Sequence, residues 1–232
     1  MSYSKNIPDN YQQKCLCVLL LDISGSMIID DRLGKLNEAI KQFYDDVIYG
    51  KNRVAKSTVN QLEVAIIAFD QSPKVIRHPK LLSRDDIAPT LETRGSTTDT
   101  VKALEKALDV IITRKRFYDQ TAQSYYRPWI VLITDGEPTS KPEDIDKMAI
   151  KLKELETRGS IAMIGVSVAE TATQKTLSKL SAGHATELKD YKFGHFFAWL
   201  GRSFSTIIKS DDILGESDLT RDAWEWMKGH KK

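Results

Sequence analysis

Apolar side chains fall along this chain in two rhythms. Leu16-Cys17-Val18-Leu19-Leu20-Leu21 is an unbroken apolar run of strand length. A strand of that kind is covered on both faces, as strands of parallel sheets are. Leu33, Leu36, Ile40, Phe43 and Val47 then recur at steps of 3, 4, 3 and 4. That spacing puts them on one face of a helix. The alternation continues. Leu62 to Phe69 predicts a second strand, and Lys74 to Arg77, after Pro73, a short one at a sheet edge. Val101, Leu104, Leu108 and Ile111 predict a helix after Thr100, and the polar, aromatic stretch 118–127 a connection. Trp129 to Ile133 is a further apolar strand. Ile145, Met148, Leu152 and Leu155 mark a helix, with Pro142 in its first turn and Gly159 past its end, each where such a residue is tolerated. Ile161 to Val168 predicts a strand, 173–180 a short helix, 185–188 a last short strand, and Phe197, Leu200, Phe204 and Ile207 a final helix.

Strands alternating with helices predict an α/β fold. The expected architecture is Rossmann-like and doubly wound: a mostly parallel sheet, helices on both faces, and one short antiparallel edge strand. Residues 1–13 form a polar lead, 14–209 the domain, and 210–232 a charged tail carrying Trp224 and Trp226. Packing of that tail on the domain is favoured over a free partner-binding tail, because two exposed Trp side chains are costly. In open parallel sheets ligands gather beyond the carboxyl ends of the strands. The residues that follow the apolar runs are therefore the candidates for chemistry.

Charge narrows the field. The 232 residues carry 34 Lys and Arg against 32 Asp and Glu, a net charge of +2. A dedicated nucleic-acid binder would show a strong basic excess. No apolar run approaches the ~18 residues that span a bilayer, and the polar start lacks the apolar core of a secretory signal. The expected location is the cytoplasm. Cys15 and Cys17 lie two apart on one strand and share a face, a poor geometry for a disulfide. They read as small core residues.

Three loops stand out. The first strand ends in Asp22-Ile23-Ser24-Gly25-Ser26, with Gly25 letting the turn bend between the two serines. The strand at 129–133 ends in Thr134-Asp135-Gly136-Glu137, and Gly95-Ser96-Thr97-Thr98-Asp99-Thr100 opens a helix between them. These loops supply carboxylates and hydroxyls alone, an inventory for a hard cation such as magnesium rather than zinc. Two carboxylates balance a divalent ion, and neutral hydroxyls leave it electrophilic, which favours an anionic ligand from outside. Each motif also has a plainer reading. The serines can cap a helix, and Asp22 and Asp135-Gly136 can be turn residues. Asp70, after the second strand, reads as a turn residue near the site. Asp22, at a strand end, is expected to lie outside the packed core.

Asp22-x-Ser24-x-Ser26, a Thr-bearing loop and Thr134-Asp135-Gly136, in that order, resemble the von Willebrand factor A (vWA) family and its metal-ion-dependent adhesion site (MIDAS). The likeness covers about residues 14 to 209. The lack of an export signal and the spacing from Asp22 to Asp135 resemble the bacterial TerY-like stand-alone group, linked to tellurite resistance and stress response. The resemblance implies that Ser24 and Ser26 bind Mg²⁺ (Mn²⁺ or Ca²⁺ being alternatives) through their hydroxyls. It implies that Asp22 and Asp135 act directly or through water. It places the family's threonine at Thr98, with Thr97 as the second choice, since Arg94-Gly95-Ser96 departs from the usual Gly-Gly-Thr.

The implied function is a metal-dependent binding module, not an enzyme, that recruits an Asp or Glu of another protein, with no nucleic acid or membrane involved. Ile28 and Ile29 are expected on its rim. A Rossmann-like metal-dependent enzyme, such as a phosphatase of the aspartyl-nucleophile kind, is the alternative. Such a phosphatase needs a second carboxylate two residues after the first, where Ser24 stands. No Gly-x-Gly-x-x-Gly or Gly-x-Ser-x-Gly motif is present to support a dinucleotide-binding or serine-hydrolase reading.

Overall fold

The computed structural model describes residues 11–95, 97–168 and 172–210. The lead before residue 11 and the tail with Trp224 and Trp226 lie outside the described residues. In chain order the elements are β1 (Cys15–Asp22), α1 (Arg32–Tyr49), β2 (Leu62–Phe69), β3 (Lys74–Leu81), α2 (Thr100–Gln120) and β4 (Trp129–Thr134). They continue with α3 (Pro142–Thr157), β5 (Ala162–Ser167), α4 (Ala172–Leu180), β6 (Ala185–Glu187) and α5 (Phe193–Ser210). One sheet has the order β3-β2-β1-β4-β5-β6. β3 runs antiparallel to β2, and the other neighbours are parallel. The expected mixed α/β architecture is the observed one.

The period of two along β1 divides the interior. Cys15, Cys17, Leu19 and Leu21 face α1 and α5, where they meet Phe43, Phe197 and Phe204. Leu16, Val18 and Leu20 face α2, α3 and α4, among them Leu104, Leu108, Leu152 and Leu177. Both faces are covered, so the alternation is silent in the sequence and the run reads as continuously apolar. The two cysteines are free and buried, on one face as expected. Trp129 meets Phe204 edge-on with ring centres 5.2 Å apart. That contact ties β4 to the final helix.

Some boundaries move. α2 runs to Gln120, into the stretch expected to be a connection. Tyr118 holds that last turn: it is fully buried, stacks on Tyr125 at 4.9 Å and donates to Glu63. β3 continues past Arg77 to Leu81, through Pro79, which an edge strand tolerates. The buried Arg77 guanidinium donates to the carbonyls of Val64, Lys80 and Leu81, closing the irregular register there. Three short 3-10 turns, Gly25–Asp31, Lys56–Asn60 and Lys189–Tyr191, carried no periodic signal.

β1 has β2 on one side and β4 on the other. The chain winds outward from it in both directions, so the switch point lies between β1 and β4. In open sheets of this kind ligands gather at that point, beyond the carboxyl ends of the strands. Asp22 closes β1, and Asp135 directly follows β4.

Candidate metal site

The site is built from strand ends upward. Asp22 is completely buried. Its Oδ1 accepts the Ser24 N–H at 2.9 Å, and its Oδ2 accepts the Thr134 hydroxyl at 2.6 Å. Thr134 is the last residue of β4, so one carboxylate joins the two strand ends at the switch point. Asp22 thus lies inside the packed structure and not outside it, as its place at a strand end had suggested. A strand end at a crevice covered by three loops is still interior.

From Asp22 the chain turns so that Ser24 Oγ and Ser26 Oγ lie 3.1 Å apart. The Ser26 hydroxyl donates to Asp135 Oδ1 at 2.6 Å. Ser24 begins the 3-10 turn without making a side-chain cap bond, so capping does not account for its hydroxyl. The turn reading of Asp22 is correct as far as its bond to the Ser24 amide goes. Gly25 plays a different part from the one expected. It is not among the residues with positive φ. A Cβ on it would stand 3.3 Å from the Gly95 carbonyl, which accepts the Gly25 N–H at 3.1 Å. The missing side chain lets the second loop approach the first.

That second loop is fastened on several sides. Arg94 donates its N–H to the Ile23 carbonyl at 2.9 Å, and Asp99 its N–H to the Asp70 carbonyl at 2.8 Å. Thr139 donates to the Thr98 carbonyl at 2.9 Å, joining it to the loop after β4. Thr98 is buried, with Oγ1 3.4 Å from where a Cβ on Gly136 would stand, whereas Thr97 is half-buried. The Asp99 side chain caps α2 by accepting the Lys102 N–H. Asp70 Oδ1 accepts the Ser72 N–H at 2.9 Å, a turn bond as expected.

The charges are unevenly matched. Burial is the main force on Asp22 and pushes its carboxyl up to about 6, aided by the nearby Asp135 charge and opposed by the bonds from Thr134 and Ser24. Arg32 Nη1 donates to Asp135 Oδ2 at 2.8 Å. Burial works against the Arg32 cation, but its bonds to Asp135 and Tyr191 outweigh that and hold its pKa above the ordinary value. Asp22 itself is bonded by neutral donors.

This donor set fits a small hard cation. An octahedral shell with bonds of about 2.1 Å sets neighbouring oxygens about 3 Å apart. The Ser24–Ser26 spacing of 3.1 Å lies on that value. Among the described residues no three His, Cys, Asp or Glu side chains are grouped so that they could hold a metal ion. A cation here would therefore depend on hydroxyls as much as on carboxylates. Of the five residues singled out in the sequence, the structure joins Asp22, Ser24, Ser26 and Asp135 in a chain of hydrogen bonds. It sets Thr98 against Gly136 at the same crevice. Sequence reasoning missed the parts played by Thr134 and Arg32. A hydroxyl at a strand end before Asp135 was a usable signal for Thr134. Arg32 had none, since only the fold brings it to a residue 103 positions away.

A model of the von Willebrand factor type A domain matches residues 17–198. The chain belongs to this family. Among curated proteins it is 25% identical over 149 residues to the uncharacterized protein Rv2850c of Mycobacterium tuberculosis (strain ATCC 25618 / H37Rv), which covers 64% of this chain and 22% of that one. Solved structures resemble it at the level of the fold. The vWF domain of the type V pili tip protein Mfa5 from Porphyromonas gingivalis has a TM-score of 0.62 at 9% identity, covering 85% of this chain and 97% of that one. Proximal thread matrix protein 1 of the mussel byssus, with a zinc-occupied MIDAS motif, has a TM-score of 0.52 at 13% identity, covering 84% and 48%. The chain spans about a fifth of the length of the mycobacterial relative and about half that of the byssus protein. Domains of this family generally serve adhesion or interaction and bind a divalent metal at the MIDAS. Among the described residues no helix is long and apolar enough to cross a membrane.

Proposed function

We propose that this vWA domain is a metal-ion-dependent protein-binding module whose centre consists of Asp22, Ser24, Ser26, Thr98 and Asp135. The observation that carries the reading is the oxygen chain Ser24–Ser26–Asp135 at the β1/β4 switch point, backed by a buried Asp22 with no cationic partner of its own among the described residues. Ser24, Ser26 and Thr98 offer neutral oxygens. Asp22 and Asp135 supply the negative charge and orient the hydroxyls. A bound divalent ion, magnesium by the hardness of these donors with manganese or calcium as alternatives, supplies a positive point that accepts a carboxylate oxygen. The partner is a protein presenting Asp or Glu.

The side chains around the crevice suit that role. Ile28 and Ile29, just after the serines, are 65% and 53% exposed and form an apolar rim. Ser24 stands where a phosphatase of the aspartyl-nucleophile kind would need its acid, so binding is favoured over catalysis. We place the module in the cytoplasm, in stress signalling of the tellurite-resistance type, on the resemblance to the TerY-like group. The test is capture of partners from a lysate of the source cell with magnesium present, with chelator, and with Asp135→Ala. Capture lost with chelator and in the variant supports the reading. Capture that survives both puts the interface elsewhere.

A further inference from the structure

Arg32 brings a fixed positive charge to a centre proposed to hold a cation. It is held there from several directions. Nη1 donates to Asp135 Oδ2 at 2.8 Å, on the side of the carboxylate away from Ser26. Nη2 donates to the Tyr191 hydroxyl at 3.2 Å, and that hydroxyl donates to Asp30 Oδ2 at 2.9 Å. The Tyr191 ring centre lies 5.2 Å from the guanidinium carbon. Nε is buried without a hydrogen-bond partner among the described residues. The Arg32 side chain is 12% exposed and that of Asp135 0%. A surface arginine would leave its head in water, but this one is seated between the candidate centre and the turn before α5.

The charges then add up differently from a plain two-carboxylate cup. Asp22 and Asp135 contribute two negative charges, and Arg32 removes one. A divalent ion would leave the centre with an excess of one positive charge instead of neutral. In a partly buried crevice that excess is poorly screened. It weakens an ion bound alone and is relieved when an anionic ligand arrives.

We propose that Arg32 makes metal occupancy of this centre depend on an incoming carboxylate, so that ion and acidic partner bind as a coupled pair. This deepens the proposed function and rests on it. The coupling is reciprocal: a carboxylate that tightens the ion is itself tightened by the ion to the same degree. Arg32 acts through Asp135 and through charge, and it is a specificity-determining residue and not a metal ligand.

The experiment titrates Mn²⁺ into the full chain and follows free Mn²⁺ by electron paramagnetic resonance. It compares sodium chloride with sodium acetate at equal ionic strength. The wild type is expected to hold Mn²⁺ more tightly in acetate. Arg32→Gln removes the charge and is expected to bind Mn²⁺ about tenfold more tightly in chloride, the scale of one screened charge pair, and to lose most of the gain from acetate. Arg32→Lys keeps the charge and should stay near the wild type in both salts. Equal or weaker Mn²⁺ binding by Arg32→Gln in chloride overturns the inference, since Arg32 then only positions Asp135. A wild type indifferent to acetate overturns it as well, and needs no variant to fold. If neither protein binds Mn²⁺, the proposed metal centre falls too. Equal binding by both leaves that centre standing and sinks the coupling alone.

Discussion

Two buried carboxylates sit at opposite ends of the sheet and are treated in opposite ways. Glu63 lies near the amino end of β2, opposite Leu16 of β1, and is 2% exposed. Arg114 grips it with both arms, Nε on Oε2 at 2.7 Å and Nη2 on Oε1. The Tyr118 hydroxyl adds a bond of 2.5 Å. Asp22, at the carboxyl end of β1, is more deeply buried but among the described residues meets only neutral donors, the Ser24 amide and the Thr134 and Ser24 hydroxyls. The Arg32 guanidinium pairs with Asp135 instead. A buried charge must be paired or it destabilises the fold. Glu63 finds its pair within the chain and closes the bottom of the sheet. Asp22 finds none among the described residues, and in the proposed function that unmet requirement is met at the top of the sheet by a cation from outside.

The harshest way to break this contrast is to orphan Glu63. Arg114→Ala leaves its carboxylate buried with the Tyr118 hydroxyl and the charge of Lys14, without its bidentate partner. A loss of about 3 kcal/mol or more is expected, the usual result of removing one partner of a buried pair. Urea unfolding measures it. Replacing both, as Glu63→Leu with Arg114→Leu in a Tyr118→Phe background that leaves no buried hydroxyl without its acceptor, should recover most of that loss, because apolar side chains of similar volume need no pairing. A combined variant as unstable as the single one would mean that the pair is more than charge compensation.

The opposite sign is expected at Asp22. Its carboxyl is raised to about 6 in the folded protein from an ordinary value of 3.8. The folded state therefore holds this proton more tightly than the unfolded chain does. Ionising Asp22 costs stability, and the metal-free protein should become more stable as pH falls from about 6 toward about 4. Asp22→Asn removes that penalty. In chelator near neutral pH it should be more stable than the wild type, by at most about 3 kcal/mol for a shift of this size. The gap should close through the same pH window. In the proposed function the variant also loses stabilisation by Mg²⁺, so the ranking of the two proteins should reverse when metal is added in excess. Thermal melts at pH 7 and pH 5, with chelator and with Mg²⁺, cover all four cases. An Asp22→Asn protein less stable than the wild type in chelator would show that Asp22 is as well served inside the chain as Glu63.

The same contrast explains what could be read in advance. β2 matched its expected span of Leu62 to Phe69, because a strand covered on both faces is apolar nearly throughout, with Glu63 the exception. Asp22, Ser24 and Ser26 were legible because five consecutive residues hold them, and Asp135 because it directly follows an apolar run. Thr98 was harder, since its loop is placed by the Ile23, Asp70 and Thr139 backbone bonds and not by any period. The Glu63–Arg114 pair joins residues 51 apart. A lone carboxylate inside the apolar run 62–69 did signal that a partner was needed, but not which one. Tyr118 looked like loop because its polar, aromatic surroundings are satisfied by Glu63 and Tyr125 across the fold. Arg32 is the extreme case: its partners, Asp135 and Tyr191, lie in two later segments that only the doubly wound sheet gathers.

The gentlest test concerns the rim of the open end. Ile28 and Ile29 stand 65% and 53% exposed beside Asp30 and Asp31, both of which adopt left-handed backbone. Two branched apolar side chains in water add little to the fold, and exposed substitutions usually change stability by less than about 0.5 kcal/mol. Ile28→Ser with Ile29→Ser should therefore melt with the wild type, with or without metal. It should also bind Mg²⁺ unchanged, since neither side chain contributes an oxygen. Its expected effect is on partner capture, which should weaken while remaining sensitive to chelator. That pattern would separate the apolar part of recognition from the ionic part. A marked fall in melting temperature would instead mean that the two isoleucines brace the 3-10 turn carrying Ser26. The open end of the sheet would then be held together partly by the surface it offers.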